Sequence, residues 1–238
     1  MAQCPRGSRI IVALDYPDAD SALRFVGKVH PDLCRLKVGK ELFTAAGPQL
    51  VQRLVASRFD VFLDLKFHDI PSTVAKAVAA AGNLGVWMTN VHAAGGGAMM
   101  AAAADSLRAA GQQLLLVAVT ILTSMNQADL DEIGCERPLV EQALHLAALA
   151  QRSGLDGVVC SPWEAHAIHR RLGDDFLCIT PGIRGGTGIA AGDDQTRVMT
   201  PLEAVRAGSD YLVVGRPVTL STDPVAVLLD MARQIAEY

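Results

Sequence analysis

Eight short apolar runs, each followed by a stretch that reads as helix or helix-bearing connection, recur along this chain. No other feature limits its fold so strongly. The runs lie at residues 9–15, 33–39, 59–67, 86–93, 113–122, 156–161, 176–182 and 209–217. They are continuous and rich in Val, Ile and Leu rather than alternating, as expected of parallel strands covered on both faces. Repetition of this unit within 238 residues predicts an α/β protein, a closed (β/α)8 TIM barrel rather than an open doubly wound sheet. No composition shift marks a linker, so residues 1–238 read as one domain.

The connections carry helix signals. Pro17 precedes a helical stretch ending near Val29, with Asp20 or Ser21 as early caps. A helix over 41–57 contains Gly47-Pro48, where the missing donor predicts a kink. Further helices open near Pro71, after the glycines 95–97, and at about 139. Ser161-Pro162 with Glu164 and Thr200-Pro201 with Glu203 have the spacing of capping boxes with proline in the first turn, and Asp223-Pro224 is a further cap. The connection 122–138 is unusually polar.

Half the residues are hydrophobic and 19% are charged, which excludes a disordered chain. Lys plus Arg number 21 against 25 for Asp plus Glu, a formal charge of -4. A nonspecific nucleic-acid or anionic-membrane binder would show a basic excess, and none is present. The start lacks an apolar signal core, and the longest apolar run, 114–122, is too short to span a bilayer as a helix. The five cysteines form no CxxC pair, which favours free thiols in a reducing, cytoplasmic setting. Cys34, Cys160 and Cys178 lie in or beside apolar runs and read as buried small hydrophobes.

Barrel enzymes place their chemistry at the carboxyl ends of the strands. Here the first three runs become charged at that end: Asp15, then Lys37, then Asp64 and Lys66. In a regular strand, residues 64 and 66 share a face. Lone buried charges are costly, whereas alternating ones sustain each other. A salt-bridge network that merely closes the barrel is the plain alternative, but four such groups at three successive strand exits favour a catalytic cluster. Late in the chain, 180–188 is a strand exit feeding a glycine-rich loop, and 212–217 is an apolar strand ending in Gly215 and Arg216, where barrels commonly bind phosphate.

At these positions the chain resembles the orotidine 5'-phosphate decarboxylase family. The matching pieces are LD at 14–15, LKVG at 36–39, FLDLKFHDIPST at 62–73, LTS at 122–124, TPGIR at 180–184 and VVGRP at 213–217. Ser72 stands where that family commonly has asparagine, a departure that leaves the chemistry intact. The resemblance implies decarboxylation of orotidine 5'-monophosphate to uridine 5'-monophosphate, the last step of its de novo synthesis, without cofactor or metal. It implies a charged network of Lys37, Asp64, Lys66 and Asp69, with Lys66 protonating C6 of the pyrimidine as carbon dioxide leaves. Asp15 and Lys37 are expected at the ribose hydroxyls, Ser124 at the pyrimidine edge, and Pro181 against the base. Gln195 should link base to phosphate, the Gly215 N–H and Arg216 should hold the phosphate, and Ile70 is a candidate for the wall near the leaving carboxylate. A homodimer with shared sites is expected, in which Asp69 and Thr73 reach the partner's substrate. His68 is assigned no proton transfer, His92 at the end of a strand reads as a packed or hydrogen-bonding group, and the other histidines show no metal-ligand spacing. The nearest rival is a Mg²⁺-dependent sugar-phosphate decarboxylase or hexulose-phosphate synthase on the same barrel. A catalytically dead barrel kept for nucleotide binding is the rival from another class.

Overall fold

A computed structural model describes residues 8–184 and 199–236. Its eight strands are β1 (Ile10–Ala13), β2 (Arg35–Gly39), β3 (Val61–Phe67), β4 (Met88–His92), β5 (Leu115–Val119), β6 (Gly157–Val159), β7 (Leu177–Thr180) and β8 (Tyr211–Val214). They pair in parallel in chain order and close between β8 and β1, with Ile11 opposite Val213. Around them run α1 (Ala19–Val26), α2 (Lys40–Ala56), α3 (Pro71–Asn83), α4 (Gly96–Ala109), α5 (Gln127–Glu132), α6 (Leu139–Arg152), α7 (Pro162–Leu172), α8 (Pro201–Arg206), α9 (Arg216–Thr219) and α10 (Pro224–Ala236). The expected TIM barrel is the observed one.

The continuous apolar runs arise because each strand is buried on both sides. Ile11, Phe62, Met88, Val117, Ile179 and Val213 fill the barrel interior. Alternate residues such as Val12, Leu36, Leu63, Ala118 and Val158 pack outward beneath the helices. β6 and β7 approach so closely that a Cβ on Gly157 would lie 2.3 Å from the Leu177 carbonyl oxygen, so only glycine fits there. Among the described residues no helix is long and apolar enough to cross a membrane.

Local chemistry follows the sequence at most helix starts. Ser161 and Thr200 form complete capping boxes with Glu164 and Glu203, and Asp223 Oδ1 accepts the Ala226 N–H. The kink in α2 falls at Gly47, whose φ of 69° breaks the helix immediately before Pro48. Other details differ. Asp18, not Asp20 or Ser21, caps α1 by accepting the Ser21 N–H, and the helix ends at Val26 rather than near Val29. The strands are shorter than the apolar runs, because burial continues past the last paired strand residue: Leu14 follows β1 and is wholly buried. The run 209–217 ends as strand at Val214, and Arg216 opens α9 instead. The polar connection after β5 holds α5, started by a capping box in which Asn126 pairs with Asp129 rather than the more usual Glu or Gln.

Candidate active site

The charges at the strand exits meet in one chain of contacts. Lys37 Nζ lies 3.3 Å from Asp15 Oδ1 and 3.4 Å from Asp64 Oδ2, and Lys66 Nζ lies 2.7 Å from Asp64 Oδ1. The order is therefore carboxylate, ammonium, carboxylate, ammonium. Only the Asp15 side chain, at 67% exposed, is well solvated; Asp64 and Lys37 are buried. Burial alone would raise the Asp64 pKa, but the Lys37 and Lys66 charges, with hydrogen bonds from Lys66 and Asn90, hold it below the usual carboxylate range. Asp64 thus stays ionised in a place where an unpaired carboxylate would not.

Asp64 and Lys66 meet, yet not on a regular strand. The register of β3 against β4 passes from Leu63 opposite Thr89 to Phe67 opposite Val91, so four residues of one strand advance against two of the other. Lys66 sits in this bulge with φ at 51°, a left-handed conformation that few non-glycine residues adopt. Asn90 on β4 holds it there. Its Oδ1 accepts the Lys66 N–H at 2.8 Å, and its Nδ2 donates to Asp64 Oδ1 at 2.7 Å. Sequence reasoning missed Asn90, an uncharged residue inside an apolar run. Strain of about 1–3 kcal/mol at such a position persists only where surrounding contacts impose it.

Asn90 is fully buried and does not line the adjoining cavity. Its substitution by alanine is therefore expected to lower kcat about 10²-fold through misplacement of Lys66, with little change in KM. Steady-state kinetics check this, and an unchanged kcat would remove the positioning role.

The network opens onto a cavity of about 560 Å³. Asp15, Lys37, Asp64 and Lys66 line its charged side, while Ile121, Leu122 and Val159 supply apolar wall. Ser124, Pro181, Gly215 and Arg216 also line it. Arg184, the last residue of the TPGIR segment, brings a second guanidinium that had not been assigned to the site.

Three expected residues do not join this cavity within their own chain. Asp69 lies in the exposed turn beyond β3, where its Oδ1 accepts the Ile70 N–H at 2.6 Å, so it is not part of the intrachain network. Ile70 is 64% exposed at the start of α3 and forms no wall of the cavity, and Thr73 is exposed in the first turn of that helix. The turn at 68–70 carries all three past the strand exit. Gln195 lies outside the described residues.

His68 and His92 stack, with ring centroids 5.5 Å apart. Burial first, then the His68, Lys40 and Lys66 charges, depress the His92 pKa, so this ring is a neutral packing group. Its buried Nδ1 has no hydrogen-bond partner among the described residues.

Comparison with known proteins agrees with this geometry. The family model described as "Orotidine 5'-phosphate decarboxylase / HUMPS family" matches residues 8–231. A protein of Tolumonas auensis named orotidine 5'-phosphate decarboxylase is 58% identical over 221 residues, covering 92% of this chain and 95% of that one. The protein of the same name from Photobacterium profundum is 58% identical over 229 residues, covering 96% and 98%. The crystal structure of orotidine 5'-phosphate decarboxylase from Lactobacillus acidophilus superposes with a TM-score of 0.84 at 40% identity, covering 95% of this chain and 98% of that one.

Proposed function

The chain belongs to the orotidine 5'-phosphate decarboxylase / HUMPS family, and from that premise we propose how its own residues carry the reaction. It is a carboxy-lyase that converts orotidine 5'-phosphate to uridine 5'-phosphate and carbon dioxide. The family model spans two chemistries, and the relatives more than half identical over nearly the whole chain select the decarboxylase. The observation that carries the mechanism is Lys66 Nζ, held 2.7 Å from the buried Asp64 in an alternating chain that lines the cavity.

The C6–carboxylate bond breaks and leaves its electron pair on C6, where the ring delocalises it poorly. The Lys66 ammonium stabilises this developing charge because it is already charged and aimed, so little reorganisation is needed. It then gives its proton to C6, forming the C6–H bond, and the resulting amine recovers a proton from water. Asp64 pairs with Lys66, Lys37 helps keep Asp64 ionised, and Asn90 keeps Lys66 in place.

Asp15 and Lys37 take the ribose hydroxyls, Ser124 the pyrimidine edge, and Pro181 the face of the base. The Gly215 N–H and Arg216 hold the phosphate, with Gln195 linking it to the base. Phosphate binding far from C6 supplies energy for placing the ring. Asp69 and Thr73, exposed and outside their own cavity, complete the cavity of a second copy in a cytoplasmic homodimer, and Ile70 lies between them on the same exposed segment.

The test is turnover of orotidine 5'-phosphate followed by absorbance with EDTA present. Full activity without added metal is expected. A strict requirement for Mg²⁺, with activity on a keto-sugar phosphate instead, would transfer the assignment to the sugar-phosphate branch.

A further inference from the structure

On the outer side of the barrel, away from the catalytic cavity, three groups distant in sequence converge where α7 packs on β7. His169 comes from α7, Cys178 from β7, and Asp210 from the residue just before β8. His169 Nε2 lies 3.2 Å from Asp210 Oδ2, and the same oxygen accepts the Cys178 N–H at 2.7 Å, which fixes the carboxylate. One ligand atom from each of His169, Cys178 and Asp210 lies within 4.8 Å of the other two. Cys178 is wholly buried, while the His169 and Asp210 side chains keep 15% and 24% exposure and so leave a path for an ion.

We propose that Cys178, His169 and Asp210 form a binding site for one zinc-class divalent cation. One thiolate sulfur, one imidazole nitrogen and one carboxylate oxygen make a three-residue donor set suited to zinc, with solvent completing a four-coordinate shell, and hard oxygen-seeking ions such as Mg²⁺ do not favour thiolates. Binding would release the Cys178 thiol proton, and any proton on the imidazole, to solvent as these groups became ligands. None of the three residues lines the catalytic cavity, so the site ties α7 to β7 and the start of β8 and takes no part in decarboxylation.

The test uses the full-length protein, stripped with EDTA and returned to chelator-free buffer. Titration with Zn²⁺ by calorimetry should give one equivalent per chain, and Co²⁺ should produce thiolate-to-cobalt charge-transfer and tetrahedral d–d bands. Loss of even an outer partner of a metal ligand costs about 10–100-fold in affinity. Cys178→Ser and His169→Gln should therefore each weaken binding at least ~100-fold while keeping decarboxylase activity. Zn²⁺ should raise Tm in the wild type alone. His169→Gln preserves a donor to Asp210, so it decides the matter if Cys178→Ser folds poorly. Absence of stoichiometric binding, or equal binding by wild type and His169→Gln, would overturn the proposal, and neither result bears on turnover in EDTA.

Discussion

Lys66→Ala leaves a folded protein that turns over orotidine 5'-phosphate roughly 10⁴–10⁷-fold more slowly, from two losses that multiply. Removing one preorganised charge-stabilising group costs about 10²–10³ in kcat, and removing a positioned general acid costs about 10²–10⁴. Folding survives because alanine, like lysine, carries a Cβ, so the backbone at φ 51° is no more strained than before. Asp64 still keeps Lys37 and the Asn90 amide. The loss should fall on kcat far more than on KM, since the interaction grows only as charge develops at C6. Circular dichroism and steady-state kinetics on the same preparation measure both sides, and near-normal turnover in a folded variant would remove Lys66 as proton donor. Coexpression with Asp69→Ala adds a second reading. In an isologous dimer, hybrids of the two variants hold one site with both defects and one with neither, so activity returns. Two variants that stay inactive together would place Asp69 in its own subunit's chemistry.

How far the sequence anticipates this structure depends on what each signal measures. Strands buried on both faces leave continuous apolar runs, so all eight were legible. Their ends were not, because Leu14 and Cys160, just beyond β1 and β6, are as buried as the residues within those strands. Asp15, Lys37, Asp64 and Lys66 stood out since charge at the end of an apolar run is rare. Asn90 did not, because its role depends on the bulge that brings the Lys66 N–H to it. The grouping of His169 with Asp210 was equally hidden. Those residues lie 41 apart, and only the pairing of β7 with β8 brings them together.

β2 shows the same limit at the opposite end of the barrel. Arg35 lies two residues before Lys37, on the same face of the strand, and sequence reasoning passed it over while looking only at strand exits. It is almost wholly buried. Its guanidinium stands 4.4 Å from the Trp87 ring centroid and 5.1 Å from that of Tyr211, and these two rings meet edge to face at 5.0 Å. Nε bonds Asp60 Oδ2 at 3.1 Å, and Nη1 donates to the Ser8 carbonyl. One cation thus plugs the barrel floor, and the rings and carboxylate replace the water it gives up. A desolvated cation–π contact contributes about 2 kcal/mol, and truncating the packed stem leaves a void. Asp60 is about half exposed and rehydrates when its partner is removed, which keeps the loss below that of a fully buried pair. Arg35→Ala should therefore cost about 2–4 kcal/mol. At about 2–4 °C per kcal/mol for a chain of this size, Tm falls by roughly 5–15 °C. Arg35→Lys should recover part of this, because the ammonium keeps the charge but not the planar fork that stacks on the rings. Scanning calorimetry measures the shift, and kcat at 25 °C should change little, since Arg35 does not line the cavity. A thermal midpoint unmoved by Arg35→Ala would mean that the aromatic pair closes the floor alone.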